Sequence, residues 1–201
     1  MYVRVWKRAL DLVLALFAFP FWLGILAILG PMIYLEDRGP VFYNSYRLGR
    51  NGRVFKMYKF RSMKVGAPDI RNEDGSTYSG EDDGRLTRIG KAIRKASLDE
   101  TPQLINIIKG DMSVIGPRPD LPEDIECYRG DQKTRLRLKP GVTGFSQANF
   151  RNTIPANEKY DNDVYYVRNV SFRMDCVLFF KTAKIVIGRE KVFSLHAKDY
   201  N

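Results

Sequence analysis

From Leu12 to Leu35 the chain carries no charged residue, reading LVLALFAFPFWLGILAILGPMIYL. As unbroken helix this stretch is roughly 36 Å long at ~1.5 Å per residue, enough to cover a hydrocarbon core of about 30 Å. It is apolar all round, which suits lipid better than a protein core. It is too long for a cleaved signal peptide and no A-x-A-like site ends it. Both flanks are basic: Arg4, Lys7 and Arg8 precede it, and Arg38, Arg47, Arg50, Arg53 and Lys56 follow. Positive charge disfavours export of either end. Pro20, Gly24, Gly30 and Pro31 supply break points, and Pro20 removes a backbone donor near the middle. A re-entrant helical hairpin over residues 1–36, bent near Pro20 to Gly24 and returning to the same face, is therefore favoured over a straight span. Asp11, just inside the apolar edge, is expected to pair with Lys7 or Arg8 at headgroup level.

The chain of 201 residues fits one domain, with 37–201 as a cytoplasmic region following the hairpin. A net charge of +10 favours polyanionic partners, whether nucleic acid, anionic lipid or phosphorylated small molecules. The long apolar segment and the lack of a nucleic-acid-binding motif argue against nucleic acid. Cys127 and Cys176 are too few and too unpatterned for a disulfide framework or zinc site. His196 is the only histidine, so Ser-His-Asp, Cys-His and multi-histidine metal chemistry are poorly supported.

Val41 to Arg47 and Val54 to Phe60 read as strands of a hairpin around Arg50-Asn51-Gly52, since Asn-Gly favours tight hairpin turns. Gly66 to Gly84 is polar and reads as a surface loop. Helical spacing runs over Leu86 to Ala96, Leu104 to Ile108 (ended by Gly110), Asn157 to Asn169 and Phe172 to Ile187. Asp120 to Tyr128 is a further helix candidate, and Pro140 to Asn152 reads as loop. The last helix mixes Val177, Leu178 and Phe180 with Arg173, Lys181 and Lys184, a pattern open to a core helix or to one lying in the membrane interface. The fold class expected is α+β: a monotopic membrane protein with a helix-rich catalytic region, a short β-hairpin and interfacial amphipathic helices.

Past the middle of the chain comes Ser97-Leu98-Asp99-Glu100-Thr101-Pro102-Gln103, followed by Gly116-Pro117-Arg118-Pro119. Ser97 to Glu100 fits a capping box. Thr101 as cap instead puts Pro102 at the first helical position, where proline is welcome, with Asp99 and Glu100 just ahead of a helix start that favours phosphate. An ionised carboxylate needs no general base to act as nucleophile. Attack on a phosphate requires its charge to be screened by a hard divalent ion held by oxygens, so one carboxylate can attack while its neighbour binds metal. Arg94, Lys95 and Arg118 are candidate cations for the remaining phosphate charge.

These segments occur in order with Lys7-Arg8-x-x-Asp11, Tyr58-Lys59-Phe60-Arg61-Ser62-Met63, Lys109-Gly110-Asp111-Met112-Ser113, Lys139-Pro140-Gly141-Val142-Thr143-Gly144 and Tyr165-Tyr166. Together they closely resemble the small monotopic phosphoglycosyl transferases, the bacterial sugar transferase family, from about Lys7 to about Val186. The resemblance implies that Asp99 attacks the β-phosphate of a UDP-sugar, expelling UMP, and that polyprenol phosphate, typically undecaprenyl phosphate, then takes the phosphosugar. It implies Mg2+ at Asp99 and Glu100, substrate contacts from Arg118 and Pro119, and Lys59, Arg94 and Tyr165 as site neighbours. It further implies a site on the cytoplasmic face of the bacterial inner membrane, with a homodimer left open. Three positions depart from the family pattern. The usual Ser-Pro helix break is replaced by Gly24 with the proline a turn earlier. Thr101 stands where an apolar residue is usual, and Phe150 where glycine is common. A competing reading is a non-catalytic membrane adaptor, indifferent to changes at Asp99 or Glu100.

Overall fold

The structure, a computed structural model, describes residues 1–70, 78, 80, 83–150 and 154–188. Much of the loop expected from Gly66 to Gly84, and His196, lie outside them. After an opening π-helical turn at Tyr2–Trp6 comes the long helix α1, Lys7–Asp37. The antiparallel hairpin of β1 (Phe42–Leu48) and β2 (Val54–Phe60) follows, then α2 (Arg88–Lys95) and α3 (Gln103–Lys109). Strand β3 (Ser113–Ile115) pairs in parallel with β4 (Gly141–Thr143), and α4 (Phe145–Asn149), α5 (Ala156–Asn169) and α6 (Phe172–Gly188) complete the described chain. This is an α+β protein with a long N-terminal apolar helix and small sheets.

Helix α1 stays helical through Pro20 and Pro31. Phe17, Phe21, Leu23 and Ile28 are exposed, as are Leu16 and Leu35. Both ends nevertheless rest on the same body. Near the start, Lys7 Nζ lies 2.6 Å from Asp175 of α6, Arg8 donates to the carbonyls of Ile107 and Ile108 that end α3, and Asp11 accepts from Ser113 Oγ and Val114 N of β3. The pairing expected within the helix, Asp11 with Lys7 or Arg8, is thus replaced by three separate inward contacts. A buried carboxylate needs donors, and the start of β3 supplies two of them.

At the other end, Arg61 forks onto Asp37 with both N···O distances at 2.6 Å and donates to the carbonyl of Ile33. Glu36 accepts from the backbone N–H of Arg88 and Ile89, while Thr87 Oγ1 accepts from Gly90 N at 2.8 Å. The first three donors of α2 are therefore all satisfied, two of them by the membrane helix. Gly90 lies against Ser62, whose carbonyl oxygen would be 1.8 Å from an added Cβ.

Asn51 (φ 57°) and Gly52 (φ 76°) form the hairpin turn as expected, since paired positive φ matches the twist of the strands. Ala15 packs with Met57, Ile107 and Met112, Ile33 packs with Phe60 and Ile93, and Tyr166 packs with Ile115, Ala148 and Leu178. Two local expectations are corrected. Asp120 to Tyr128 is a 3-10 turn at Pro122–Cys127, and the stretch read as loop after Pro140 holds β4 and α4. Three-residue strands carry too few positions for alternation to show. The β3–β4 pairing also requires glycine: a Cβ on Gly141 would stand 2.1 Å from Gly116 N.

Asp175 accepts from Lys7, Tyr166 and Tyr2, and the Lys7 and Asp175 side chains are each 9% exposed. Asp175→Ala strands the Lys7 ammonium in a buried setting. It is expected to cost about 3–5 kcal/mol, read as a lower denaturation midpoint of the detergent-solubilised protein.

Candidate active site

The carboxylate pair is placed by a proline and a strand edge. Helix α2 ends in a Schellman motif: Leu98 N donates to Ile93 O, Ser97 N donates to Arg94 O, and Ser97 has φ 56°. Ser97 therefore closes α2 and does not cap α3, so neither cap expected from the sequence forms. Thr101 Oγ1 donates back to Leu98 O, and Pro102 itself is the N-cap of α3. A series of i→i−3 bonds runs from Thr101 to Ile105, interrupted only at Pro102, which has no N–H. The Asp99 carbonyl left over by that gap accepts from Phe60 N of β2 at 2.9 Å.

A second stitch lies one turn on. Asn106 is fully buried, its Oδ1 accepting from Tyr58 N and its Nδ2 donating to Lys56 O. The free edge of β2 is thereby covered and the Asp99 segment laid along it. Because Gln103, Leu104 and Ile105 already donate to Glu100, Thr101 and Pro102, α3 offers no set of free N–H groups for phosphate.

This places Lys59 beside the pair. Glu100 Oε1 accepts from Lys59 Nζ at 2.8 Å and from Arg118 Nη2 at 3.1 Å. Asp99 differs: among the described residues its carboxylate takes no hydrogen bond from another side chain. Burial, and then the charge of Glu100, push the Asp99 carboxyl above the ordinary aspartate range, with Lys59 and Arg94 opposing. Burial also acts upward on Glu100, but the charges and hydrogen bonds of Lys59 and Arg118 outweigh it and hold that carboxyl well below its usual range. The two neighbours are thus electrostatically unlike, one clamped and one open.

Arg118 is presented by a rigid loop. Gly116 N donates to Thr143 O and Gly141 N donates to Pro117 O, so the Gly116–Pro119 and Lys139–Gly144 motifs are packing partners. Arg135, 2% exposed, donates to Arg118 O at 2.8 Å and to Asp163 at 2.5 Å, and its guanidinium packs against both the Tyr128 and Tyr160 rings, which also touch each other edge to face. Pro119 is half-buried, between Arg118 and an Asp120 carbonyl that accepts from Leu48 N at 2.8 Å.

Of the residues singled out in the sequence, Asp99, Glu100, Lys59 and Arg118 come together, and Arg94 lies close enough to act on the Asp99 charge. Lys95 is exposed on α2. Tyr165 is half exposed against Phe145, in a cleft shared with Arg129, Asp131 and Arg168, whereas its neighbour Tyr166 is a core residue bonded to Asp175. Arg135 and Asn106 escaped the sequence reading. Their only signal, an arginine in a basic run and an asparagine on a short apolar helix, is shared by many solvated positions.

No group of three or more His, Cys, Asp or Glu suited to a metal occurs among the described residues. Two adjacent carboxylates do fit Mg2+, which is commonly held by one or two carboxylates plus substrate phosphates.

The fold is thus an apolar helix docked at both ends on a small α+β body that carries an asymmetric carboxylate pair among cations. The chain belongs to the bacterial sugar transferase family, which it matches over residues 2–189. It is 44% identical over 173 residues to the galactosyl transferase CpsE of Streptococcus agalactiae, covering 82% of this chain and 38% of that protein. It is 38% identical over 207 residues to the undecaprenyl-phosphate galactose phosphotransferase of Salmonella typhimurium, covering 94% and 42%. An uncharacterized sugar transferase of Bacillus subtilis, EpsL, is 39% identical over 186 residues, covering 92% of this chain and 89% of that protein. The chain thus spans about two fifths of the first two relatives and most of the third.

A raised Asp99 pKa means that the ionised carboxylate destabilises the fold at neutral pH. The penalty grows as pH rises from the unfolded value, near 3.8, through the raised folded value. In metal-free buffer, Asp99→Asn is expected to raise the thermal midpoint at pH 7, with the gain shrinking toward pH 4. An unchanged or lower midpoint at pH 7 contradicts this electrostatic assignment.

Proposed function

We propose that this protein transfers a sugar 1-phosphate from a UDP-sugar to polyprenol phosphate at the membrane surface, in two displacements through Asp99. The observation that carries the reading is the unlike pair: Glu100 engaged by Lys59 and Arg118, and beside it Asp99, whose carboxylate takes no hydrogen bond from another side chain among the described residues. Family membership supports it, as do relatives named for undecaprenyl-phosphate sugar phosphotransfer.

In the first displacement an Asp99 carboxylate oxygen bonds to the β-phosphorus as the bridging P–O bond breaks, and UMP leaves with the bridging oxygen. Arg118 and Lys59 lie where the phosphate charge must be balanced. In the second, a phosphate oxygen of the polyprenol acceptor bonds to the same phosphorus. The P–O bond to Asp99 breaks and its carboxylate returns, so no general base is required. Asp99 and Glu100 are the residues that would hold Mg2+, which supplies screening of the diphosphate charge when bound.

We propose that α1 enters and leaves the bilayer on the cytoplasmic face, with Pro20 and Gly24 as its point of flexure. The support is that the Lys7–Asp11 end and the Asp37 end both dock on one body, next to β3 and β2 respectively. In oriented vesicles carrying protein in which Cys127 and Cys176 are replaced by serine, Arg4→Cys and Val65→Cys variants should react with an impermeant maleimide from the same side. Labelling from opposite sides overturns this arrangement.

The reaction is tested by UMP release from a panel of UDP-sugars, including UDP-galactose and UDP-N-acetylgalactosamine, with undecaprenyl phosphate present. Asp99→Asn is expected to abolish both UMP release and the covalent phosphosugar adduct trapped without acceptor, a loss of at least about a thousandfold. Retained turnover would sink the two-displacement mechanism.

A further inference from the structure

We propose that Arg47 and Ser45, on the hairpin face that carries Lys59, form with Arg118 a clamp for the phosphate of the departing nucleotide. The inference rests on the phosphoglycosyl-transfer reading above and names residues which that reading does not use.

The strand register places Tyr43 opposite Lys59, Ser45 opposite Met57 and Arg47 opposite Phe55. Side chains two apart share a face, so Lys59, Ser45 and Arg47 lie along one side of the hairpin. Two polar atoms on that side, Ser45 Oγ and Arg47 Nε, are buried without a hydrogen-bond partner among the described residues. Orphaned buried polar atoms are rare, and a pair of them on one face calls for an explanation. The bond from Leu48 N to Asp120 O ties the strand beside Arg47 to the loop that presents Arg118. The two guanidinium groups are near enough that Arg118 lowers the pKa of Arg47, after burial, while Tyr43, Asp124 and Glu123 act in the opposite sense. Arg118 already faces Glu100, and a phosphate reaching both guanidinium groups would add a second anion, since planar guanidinium forks match phosphate oxygens.

The phosphate has two sources in this reaction, the nucleotide and the lipid acceptor. Arg47 is backed by the 3-10 turn Pro122–Cys127 with its Glu123 and Asp124, a polar surroundings that suits the water-soluble nucleotide.

The test is UMP binding by calorimetry to the full detergent-solubilised chain, paired with KM values for both substrates and with thermal midpoints. Arg47→Met is expected to weaken UMP binding about ten- to a hundredfold, and Ser45→Ala roughly two- to tenfold. The midpoint of Arg47→Met should hold or rise, because a desolvated guanidinium with an orphaned donor is removed. Arg47→Lys should recover part of the UMP affinity, and it carries the comparison if the methionine variant does not fold. Unchanged UMP affinity overturns the proposal, whether or not the midpoint falls. A change confined to the KM of polyprenol phosphate assigns the residues to the acceptor and overturns it as well. Wild-type protein that neither binds UMP nor releases it from any UDP-sugar overturns the parent reading and this one together.

Discussion

The docking of both ends of α1 onto one globular body is the constraint from which the rest of the structure follows. A helix with so much exposed apolar surface cannot be held by hydrophobic contact alone, because lipid satisfies its side chains equally well. Directional contacts do the holding. Lys7 reaches α6, Arg8 closes the end of α3, Asp11 takes donors from β3, and Asp37 is gripped by Arg61 after β2. Each of these elements borders the site or supports an element that does, so the membrane helix and the site are one mechanical unit.

The site itself depends on a missing hydrogen bond. Pro102 leaves the Asp99 carbonyl without a helical partner, and β2 supplies one in Phe60 N. The same strand carries Lys59 to Glu100, so that backbone contact, together with the Asn106 stitch one turn on, positions the pair and its counter-charge. Burial alone would raise both carboxyls. The cations fall unequally, however, and reverse the effect for Glu100 only. Two neighbours in sequence thereby acquire opposite characters, a known route to distinct roles for paired acids.

Legibility in the sequence varied with the kind of signal. The hairpin was legible because Asn51-Gly52 has local turn chemistry, and α2, α5 and α6 because a helical period shows over two or more turns. The pair β3–β4 was not legible, being two short strands joined only through tertiary contact. Neither cap expected for α3, Ser97 or Thr101, formed, for a related reason. A serine three residues before a glutamate fits an N-cap, yet the same serine closes α2 once Leu98 packs beside Ile93. Arg118, singled out in the sequence, faces Glu100, whereas Arg61, visible there only as part of a motif, clamps the membrane helix.

By itself the sequence determined the apolar helix, the basic flanks, the carboxylate pair and, through ordered motifs, the family. These are carried by composition, short spacings and residue identity, which need no folded partner to be read. The tertiary structure decided which charges are structural and which are presented. It sent Lys7, Asp11 and Arg61 inward, clamped Glu100, left Asp99 half-buried with no side-chain hydrogen bond among the described residues and aligned Ser45 and Arg47 along the face of Lys59. The reason is physical: the state of a charged group is set by its burial and its nearest opposite charge. Both are long-range properties that a residue acquires only when distant segments meet.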